Sequence, residues 1–577
     1  MGKIQAGEAL VRCLSKWGID HVYGMPGGSI DRVVESLRKH KDEIDFYLVR
    51  HEEVASLAAS SYAKLTGKIG VCLAINGPGA IHLLGGMYDA KLDHVPMLVL
   101  VGHTVTTLTG TDYFQEMNMH QLFEDVAVYN KVVASSETLP IVINQAIRSA
   151  YQQRGVSVVM IPDDLVLGEI PDDEMQLSTI FEEKKPGLNS DDLSQAVTLI
   201  NKSKNPVILA GVGAKYASAE LVDLAERISA PVAISLRGKG GFPDLHPNFL
   251  GNIGRLGTKP AYEAMKSADL LLLIGTDYPY QNYLPDHAKC VQIDIDPIHL
   301  GKRYAVNVGI LGDAADALNH LTEHLIPVSD RPFLKHCQEN MSKWRKWIEE
   351  DKKKTQSPIA PEAVMSAIEG IAEDDAIFSV DVGTATIWAP RYLNLNKNQD
   401  FIVSSWLGMM GCGVPGAMAA KHAYPDRQAI AICGDGGFAM VMQDFATAVQ
   451  YKWPIIVVIL NNRQLGFIKY EQQSAGELNY GIDMQDINFA QVAQACGGKG
   501  MRVETFDQLH PAFQEARTAQ VPVLLDILVD QNDAPLPGKI ISAEMQGYAA
   551  FTAKSLIETH KLEDPVPPVK ELVRRLF

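Results

Sequence analysis

Residues 429–462 read AIAICGDGGFAMVMQDFATAVQYKWPIIVVILNN: an apolar run that halts at Gly434-Asp435-Gly436, a stretch of mixed polarity, and a second apolar run that halts at Asn461-Asn462. The interval 437–460 is long enough for a helix to cross over and the chain to return as a parallel strand. Asp435 and Asn462 then both emerge at the carboxyl edge of one sheet, where open α/β folds bind their ligands. A carboxylate from Asp435, an amide oxygen from Asn462 and a backbone carbonyl at Gln464 form a donor set suited to Mg²⁺. That ion prefers octahedral oxygen ligands and commonly bridges protein to a diphosphate. Gly434, Gly436 and Gly437 around the aspartate let the backbone approach phosphate. Each motif alone reads as a strand-ending turn; the two together, at this spacing, predict a metal and diphosphate site.

The same rhythm extends along the chain. Over 1–182, HVYGMP, DFYLVRH, GVCLAING, PMLVLVG and SVVMIPDD alternate with helix-like stretches such as EEVASLAASSYAKLTG, which predicts a parallel sheet covered by helices. The polar stretch EEKKPGLNSDD at 182–192 reads as a linker. A second unit, 193–330, restarts with PVILAGVGA, PVAISL, DLLLLIGTDYP, CVQIDIDP and NVGILGD. After the charged MSKWRKWIEEDKKK and the Pro-rich TQSPIAPEA, a third unit, 358–535, carries AIFSVDVG, FIVSSW, AIAICGDGG, IIVVILNN and PVLLDILVD, and 536–577 form a tail. The fold class is α/β, with three doubly wound parallel-sheet domains, a number in keeping with 577 residues. The first and third units share a rhythm that suggests a common fold.

Composition narrows the function. With 46% hydrophobic and 21% charged residues the chain is that of a folded protein, and a net charge of −17 opposes broad binding to nucleic acid. Seven scattered cysteines without C-x-x-C spacing fit a reducing cytoplasm. The N-terminal stretch lacks the apolar core of a signal peptide, and the longest apolar runs fall far short of the ~20 residues of a membrane span. A cytoplasmic enzyme is expected.

The GDG and NN pair resembles the signature of the thiamine diphosphate enzymes. That family needs a glutamate from another domain, and Glu52 in Arg50-His51-Glu52-Glu53 is the matching position. In that family a carboxylate hydrogen-bonds N1′ of the aminopyrimidine and favours its imino tautomer, whose N4′ takes the proton from the reactive C2 carbon. Glu53 reads as an acidic residue complementing a helix N-terminus. Met410, in Trp406-Leu407-Gly408-Met409-Met410-Gly411, matches the family's apolar wedge that bends the cofactor, with Gly408 and Met409 contacting the aminopyrimidine. Leu465 and Gly466 fall among the cofactor contacts beside Asn462 and Gln464.

The whole chain further resembles the flavin-dependent pyruvate oxidases, in domain order and in YGMPGGS, RHEEVASLAASSYAKLTGKIGV, GPGAIHLL, FQEMN, DIDP and GFIKYEQ. The resemblance implies an aminopyrimidine-binding domain, a FAD-binding middle domain and a diphosphate-binding domain. It also implies a homotetramer in which Glu52 and the Mg²⁺ site of one active centre come from different subunits. Gly211-Val212-Gly213-Ala214-Lys215-Tyr216 lacks the last glycine of the dinucleotide fingerprint. Flavin binding therefore rests on Ile253, Gly254, Arg255 and Leu256, on Thr276, Asp277, Tyr278, Pro279 and Tyr280, and on Asp294, which match the family's FAD-contacting segments. Around pyruvate the resemblance places Phe114, Gln115, His82, Phe467, Ile468 and Glu471. The apolar members would lower the local dielectric as CO₂ leaves, while Gln115 and Glu471 would orient the acyl group and its acceptor. For His82 a structural role stands beside this one.

The implied reaction is oxidative decarboxylation of pyruvate through hydroxyethyl-thiamine diphosphate, with electrons passing to FAD. Two subclasses stay open: acetate with quinone as acceptor, or acetyl phosphate with O₂ as acceptor and peroxide as product. Acetolactate synthase is a further reading. The tail favours the first. After Pro568, Val569, Leu572, Val573 and Leu576 fall at i, i+3, i+4 and i+7 opposite Lys570, Arg574 and Arg575. This short basic amphipathic helix resembles the membrane anchor of quinone-linked pyruvate oxidases, placing the enzyme on an anionic inner membrane surface; docking on its own subunit is the alternative.

Overall fold

In the computed structural model, residues 2–172, 179, 185–532 and 542–559 are described. They form three six-stranded sheets, each wholly parallel. The central strands are buried along their whole length: Met97–His103, Leu270–Ile274 and Ile456–Asn461 are apolar runs covered on both faces, the pattern that parallel sheets impose.

In the N-terminal sheet the strands lie side by side as Asp45–Leu48, His21–Gly24, Gly70–Ala74, Met97–His103, Val156–Pro162 and Ala127–Val132. In the C-terminal sheet they lie as Asp400–Val403, Ile377–Val380, Ala429–Gly434, Ile456–Asn461, Val523–Leu528 and Lys499–Val503. Numbered along the chain, both sheets run second, first, third, fourth, sixth, fifth, so the shared rhythm of the two units is a shared topology. The middle sheet runs third, second, first, fourth, fifth, sixth, from Phe249–Asn252 to Val308–Leu311, the strand order of dinucleotide-binding folds. Each sheet has one strand more than the five apolar runs read from sequence. The additions, Ala127–Val132, Phe249–Asn252 and Lys499–Val503, all lie at a sheet edge.

The N- and C-terminal domains share one core, in which helix Glu52–Thr66 packs on helix Gly413–Ala423. Both helices are rich in Ala, Gly and Ser, which lets their backbones come close. The neighbouring helix Leu84–Leu92 also packs closely on Glu52–Thr66: a Cβ added at Gly86 would lie 2.3 Å from the Ser56 carbonyl carbon. All three domains meet at a buried ion cluster. Lys64 lies 2.6 Å from Asp89 and 2.7 Å from Asp93, while Ser405 donates to Asp93 at 2.6 Å and Arg237 donates to the Asp93 carbonyl. Burial pushes the Asp93 carboxyl up, but Lys64 and Arg237 outweigh it and hold the group below its ordinary range.

Helix Ser542–Lys554 packs on helix Gly466–Ser474, and Lys554 reaches Glu477 at 3.0 Å. The basic amphipathic pattern at 569–577 lies outside the described residues. No described helix is long and apolar enough to cross a membrane.

Candidate active site

Asp435 and Asn462 stand where the sequence puts them, at the ends of the adjacent strands Ala429–Gly434 and Ile456–Asn461. Asp435 is 4% exposed; its Oδ1 accepts from Gly436 N–H at 2.9 Å and its Oδ2 from Arg463 N–H at 2.6 Å. Burial pushes its carboxyl up to about 6, opposed by those backbone donors and not by a cation. A divalent ion bound here would supply the positive charge that this buried carboxylate lacks. Asn462 Oδ1 accepts from Gln464 N–H at 3.1 Å, and the Gln464 carbonyl takes one bond from Gly466 N–H at 2.9 Å, leaving a second lone pair.

The surrounding residues form a tight cradle. A Cβ added at Gly436 would meet Leu465 Cδ2 at 3.0 Å, Met484 Sδ at 3.3 Å and Met410 Cε at 3.5 Å. One at Gly466 would strike Asn462 Nδ2 at 2.8 Å. Met410 thus faces the aspartate turn. Its loop bends through Gly408 and Gly411, at φ +70° and +86°. Met409 points elsewhere: its Cε would lie 3.0 Å from a Cβ at Gly85, in the N-terminal domain.

The N-terminal half-site gathers Glu52, His82 and Gln115. Glu52 opens helix Glu52–Thr66, is 8% exposed, and has His82 Nδ1 2.9 Å from its Oε2. The His82 ring stacks on His51 at 4.5 Å, and His51 caps the helix by accepting from Glu53 N–H. Glu53 is half-buried, and burial pushes its carboxyl up, so it is more than a solvated helix-end charge. A Cβ at Gly79 would lie 3.2 Å from Glu52 Oε1, and one at Gly77 would lie 3.1 Å from Gln115 Cβ. Gln115 is held at φ +63° while its carbonyl accepts from Asn76 Nδ2 at 3.2 Å; such a conformation in a non-glycine residue costs energy and persists only when its surroundings fix it. Phe114 departs from expectation. It is 78% exposed, so within one chain it closes no apolar pocket.

In the middle domain Thr276, Asp277, Tyr278, Pro279 and Tyr280 follow strand Leu270–Ile274 at the point where strand order reverses. Gly211 and Gly213 serve packing there: a Cβ at Gly211 would lie 2.4 Å from the Gly275 carbonyl and one at Gly213 2.7 Å from Gly275 Cα. Ile253 is buried, and Gly254 at φ +100° lies against the Tyr278 hydroxyl, which is buried without a partner. Asp277 pairs with Lys302 at 3.4 Å. Asp294 ends strand Lys289–Asp294 with its Oδ1 engaged by Asp296 N–H at 3.0 Å and by His299 at 3.3 Å, leaving Oδ2 for any ribose contact. The Leu256 carbonyl accepts from Arg391 at 3.2 Å.

Arg255 joins the middle domain to the C-terminal one. Its Nη1 lies 3.0 Å from Glu471 Oε1 and its guanidinium 5.7 Å from the centre of the Phe467 ring. Phe467, Ile468 and Glu471 all sit on helix Gly466–Ser474, which starts beside Asn462; Ile468 is 42% exposed.

Two buried acids escaped the sequence reading. Asp444 accepts from Arg50 N–H at 2.8 Å and from Thr447 at 2.8 Å, with its carboxyl pushed up to about 6 by burial, and so ties the C-terminal domain to the residues preceding Glu52. Asp381, fully buried, follows strand Ile377–Val380. Its signal in the sequence was its place: an acid at the end of an apolar run, like Asp435.

Comparison with known proteins agrees with this geometry. Family models described as the N-terminal, central and C-terminal domains of thiamine pyrophosphate enzymes match residues 4–122, 193–321 and 381–527. The chain is 48% identical over 572 residues to the putative thiamine pyrophosphate-containing protein YdaP of Bacillus subtilis, covering 99% of each. It is 38% identical to the pyruvate oxidase of Lactiplantibacillus plantarum, covering 98% of this chain and 95% of that one. To a probable acetolactate synthase large subunit of Methanocaldococcus jannaschii it is 32% identical, covering 92% and 93%.

Proposed function

The chain belongs to the thiamine pyrophosphate enzymes, and from that premise we propose that it is a pyruvate oxidase using Mg²⁺, thiamine diphosphate and FAD, forming acetate and CO₂ and passing electrons to quinone. The observation that carries the oxidase reading is the Arg255–Glu471 pair over Phe467. It brings the segment expected to hold flavin next to the helix expected to hold substrate, the proximity that electron transfer between the two needs. The partnerless Tyr278 hydroxyl and the narrow space at Gly254 fit a polar, planar group at the middle domain's switch point. The 38% identity to a pyruvate oxidase supports the same reading.

Asp435, Asn462 and the Gln464 carbonyl would hold Mg²⁺ and supply its oxygen ligands beside the diphosphate, while Gly436, crowded by Leu465 and Met410, leaves no room there for a side chain. Thiamine diphosphate, when bound, supplies the carbon nucleophile for the 2-oxo acid and a sink for the electron pair left by CO₂; FAD accepts two electrons. Glu52, oriented by His82, holds the proton at the aminopyrimidine N1′. Gln115 and Glu471 orient substrate and acyl acceptor. Phe467 keeps water from one side, and Phe114, exposed in a single chain, closes the other only with a second subunit, in keeping with a homotetramer.

Quinone as acceptor, and a peripheral position on the inner face of the membrane, rest on the basic pattern of 569–577. Pyruvate turnover with an artificial electron acceptor is the test. Acetate formed in phosphate-free buffer supports the proposal. Acetyl phosphate formed only with phosphate assigns the peroxide-forming subclass, and acetolactate without flavin bleaching assigns the synthase.

A further inference from the structure

Two acids leave adjacent strands at the switch point of the C-terminal sheet, Asp381 after Ile377–Val380 and Asp435 after Ala429–Gly434. Asp435 faces the metal site. Asp381 is buried inside the protein, at 0% exposure, among backbone N–H groups and a thiol. Its Oδ1 accepts from Val382 N–H at 2.7 Å and from Gly411 N–H at 2.8 Å. Gly411 follows Met410 directly and is held at φ +86°, a conformation that favours glycine.

The same carboxylate fills space that only glycines leave free. A Cβ added at Gly437, two residues past Asp435, would lie 2.8 Å from Asp381 Oδ2. One at Gly413, the first residue of helix Gly413–Ala423, would lie 3.4 Å from Oδ2 and 2.6 Å from Cys433 Sγ. A single side chain thus touches the wedge loop, the diphosphate turn and the start of the helix that packs on the helix opened by Glu52. Burying a carboxylate costs several kcal/mol unless its donors are good ones, and apolar residues would fill the volume at less cost. What a carboxylate offers here, and an apolar side chain does not, is a fixed acceptor for the Gly411 amide.

We propose that Asp381 is a positioning residue for the thiamine diphosphate site: by holding the Gly411 amide it fixes Met410 above the Asp435 turn before the cofactor binds. It acts through Met410. The inference rests on membership of the thiamine pyrophosphate enzymes, and is independent of pyruvate, flavin and the electron acceptor.

The test compares Asp381→Ala with Asp381→Asn, whose amide oxygen can still accept both N–H groups. The first measurement is amide hydrogen exchange over residues 404–415 of the full cofactor-free chain. Asp381→Ala should exchange at Gly411 about 10-fold faster or more, and Asp381→Asn within about 3-fold of the natural chain. The second is exchange of the C2 proton of bound thiamine diphosphate with Mg²⁺ present and no substrate. Here Asp381→Ala should be slower by about 100-fold, the loss that a misplacement of ~1 Å causes, with Asp381→Asn restoring the rate. Natural rates in Asp381→Ala would overturn the proposal, as would Asp381→Asn being as impaired as Asp381→Ala. If Asp381→Ala does not fold, the unsubstituted chain decides: an unprotected Gly411 amide refutes the inference, and a protected one together with rescue in Asp381→Asn sustains it. Normal C2 exchange with no pyruvate turnover would instead count against the oxidase reading.

Discussion

His422 gives the junction between the N- and C-terminal domains a contribution to stability that is lost as the pH falls. His422, near the end of helix Gly413–Ala423, packs against His21 of the N-terminal sheet with ring centres 4.2 Å apart, inside a cluster with Tyr23, Tyr47 and Tyr62. Tyr23 Oη lies 2.9 Å from its Nδ1. Burial and the neighbouring His21 push His422 down to about 3, and burial lowers His21 as well despite its contact with Asp20. In the unfolded chain both titrate near 6.5. Above that pH the imidazoles are neutral in both states and contribute no pH dependence. As the pH falls below it, the unfolded chain takes up protons that the folded chain refuses, and stability is lost progressively down to about pH 3. At about pH 5 His422 alone accounts for about 2 kcal/mol. Asp381, Asp435 and Asp444, each pushed up to about 6 by burial, act in the opposite sense, because their folded forms hold protons more tightly as the pH drops toward the ordinary carboxylate range. The informative quantity is therefore a difference between two chains. Urea unfolding of the cofactor-free natural chain and of His422→Gln, which keeps an acceptor for Tyr23, should be followed at about pH 7.5 and about pH 5 by tryptophan fluorescence, to which Trp453, its ring centre 4.9 Å from that of Tyr47, contributes from the junction. The natural chain should lose about 2 kcal/mol more than the variant over that interval. Equal losses in the two chains would refute the reasoning.

Glu52→Gln should slow C2-proton exchange and turnover by about 10²- to 10⁴-fold with little change in melting temperature, since His82 can still donate to the amide oxygen; an unimpaired rate, read by proton exchange, would remove Glu52 from the chemistry. Asp435→Ala should abolish Mg²⁺-dependent cofactor binding in calorimetry, and chelation of Mg²⁺ should do the same to the natural chain. Arg255→Gln should leave stability within about 1 kcal/mol, because the pair with Glu471 is partly exposed, yet slow flavin bleaching by pyruvate by about 10-fold or more in stopped flow. Gly86→Ala should cost about 1–3 kcal/mol in urea unfolding, because its Cβ would press on backbone atoms of Ser56 and Leu57 that cannot move aside.

Much of this protein was written in short patterns. Most of the five apolar runs in each unit were legible because a strand buried inside a parallel sheet is apolar throughout, the edge strands Asp45–Leu48, Val308–Leu311 and Asp400–Val403 because they are still mainly apolar, and Asp435 and Asn462 because they end two buried runs. The edge strands Ala127–Val132 and Lys499–Val503 were not, because these two are half exposed and mix polar with apolar residues, as AVYNKV and KGMRV show. Phe249–Asn252 is buried, but four residues with an internal glycine carry no periodic signal.

The sequence by itself determined the chemistry of the donors and the sheet edge they occupy, since both follow from residue type and spacing within one crossover unit. Tertiary structure alone decided what those residues meet. It stacked His51 on His82 behind Glu52, turned Met410 but not Met409 toward the aspartate turn, joined Arg255 to Glu471 across two domains, left Phe114 exposed, and set Asp381 beneath Gly411. These contacts join segments tens to hundreds of residues apart, and local spacing carries no information about them; the physical reason is that side-chain packing and hydrogen-bond direction are fixed only when whole sheets and helices come together.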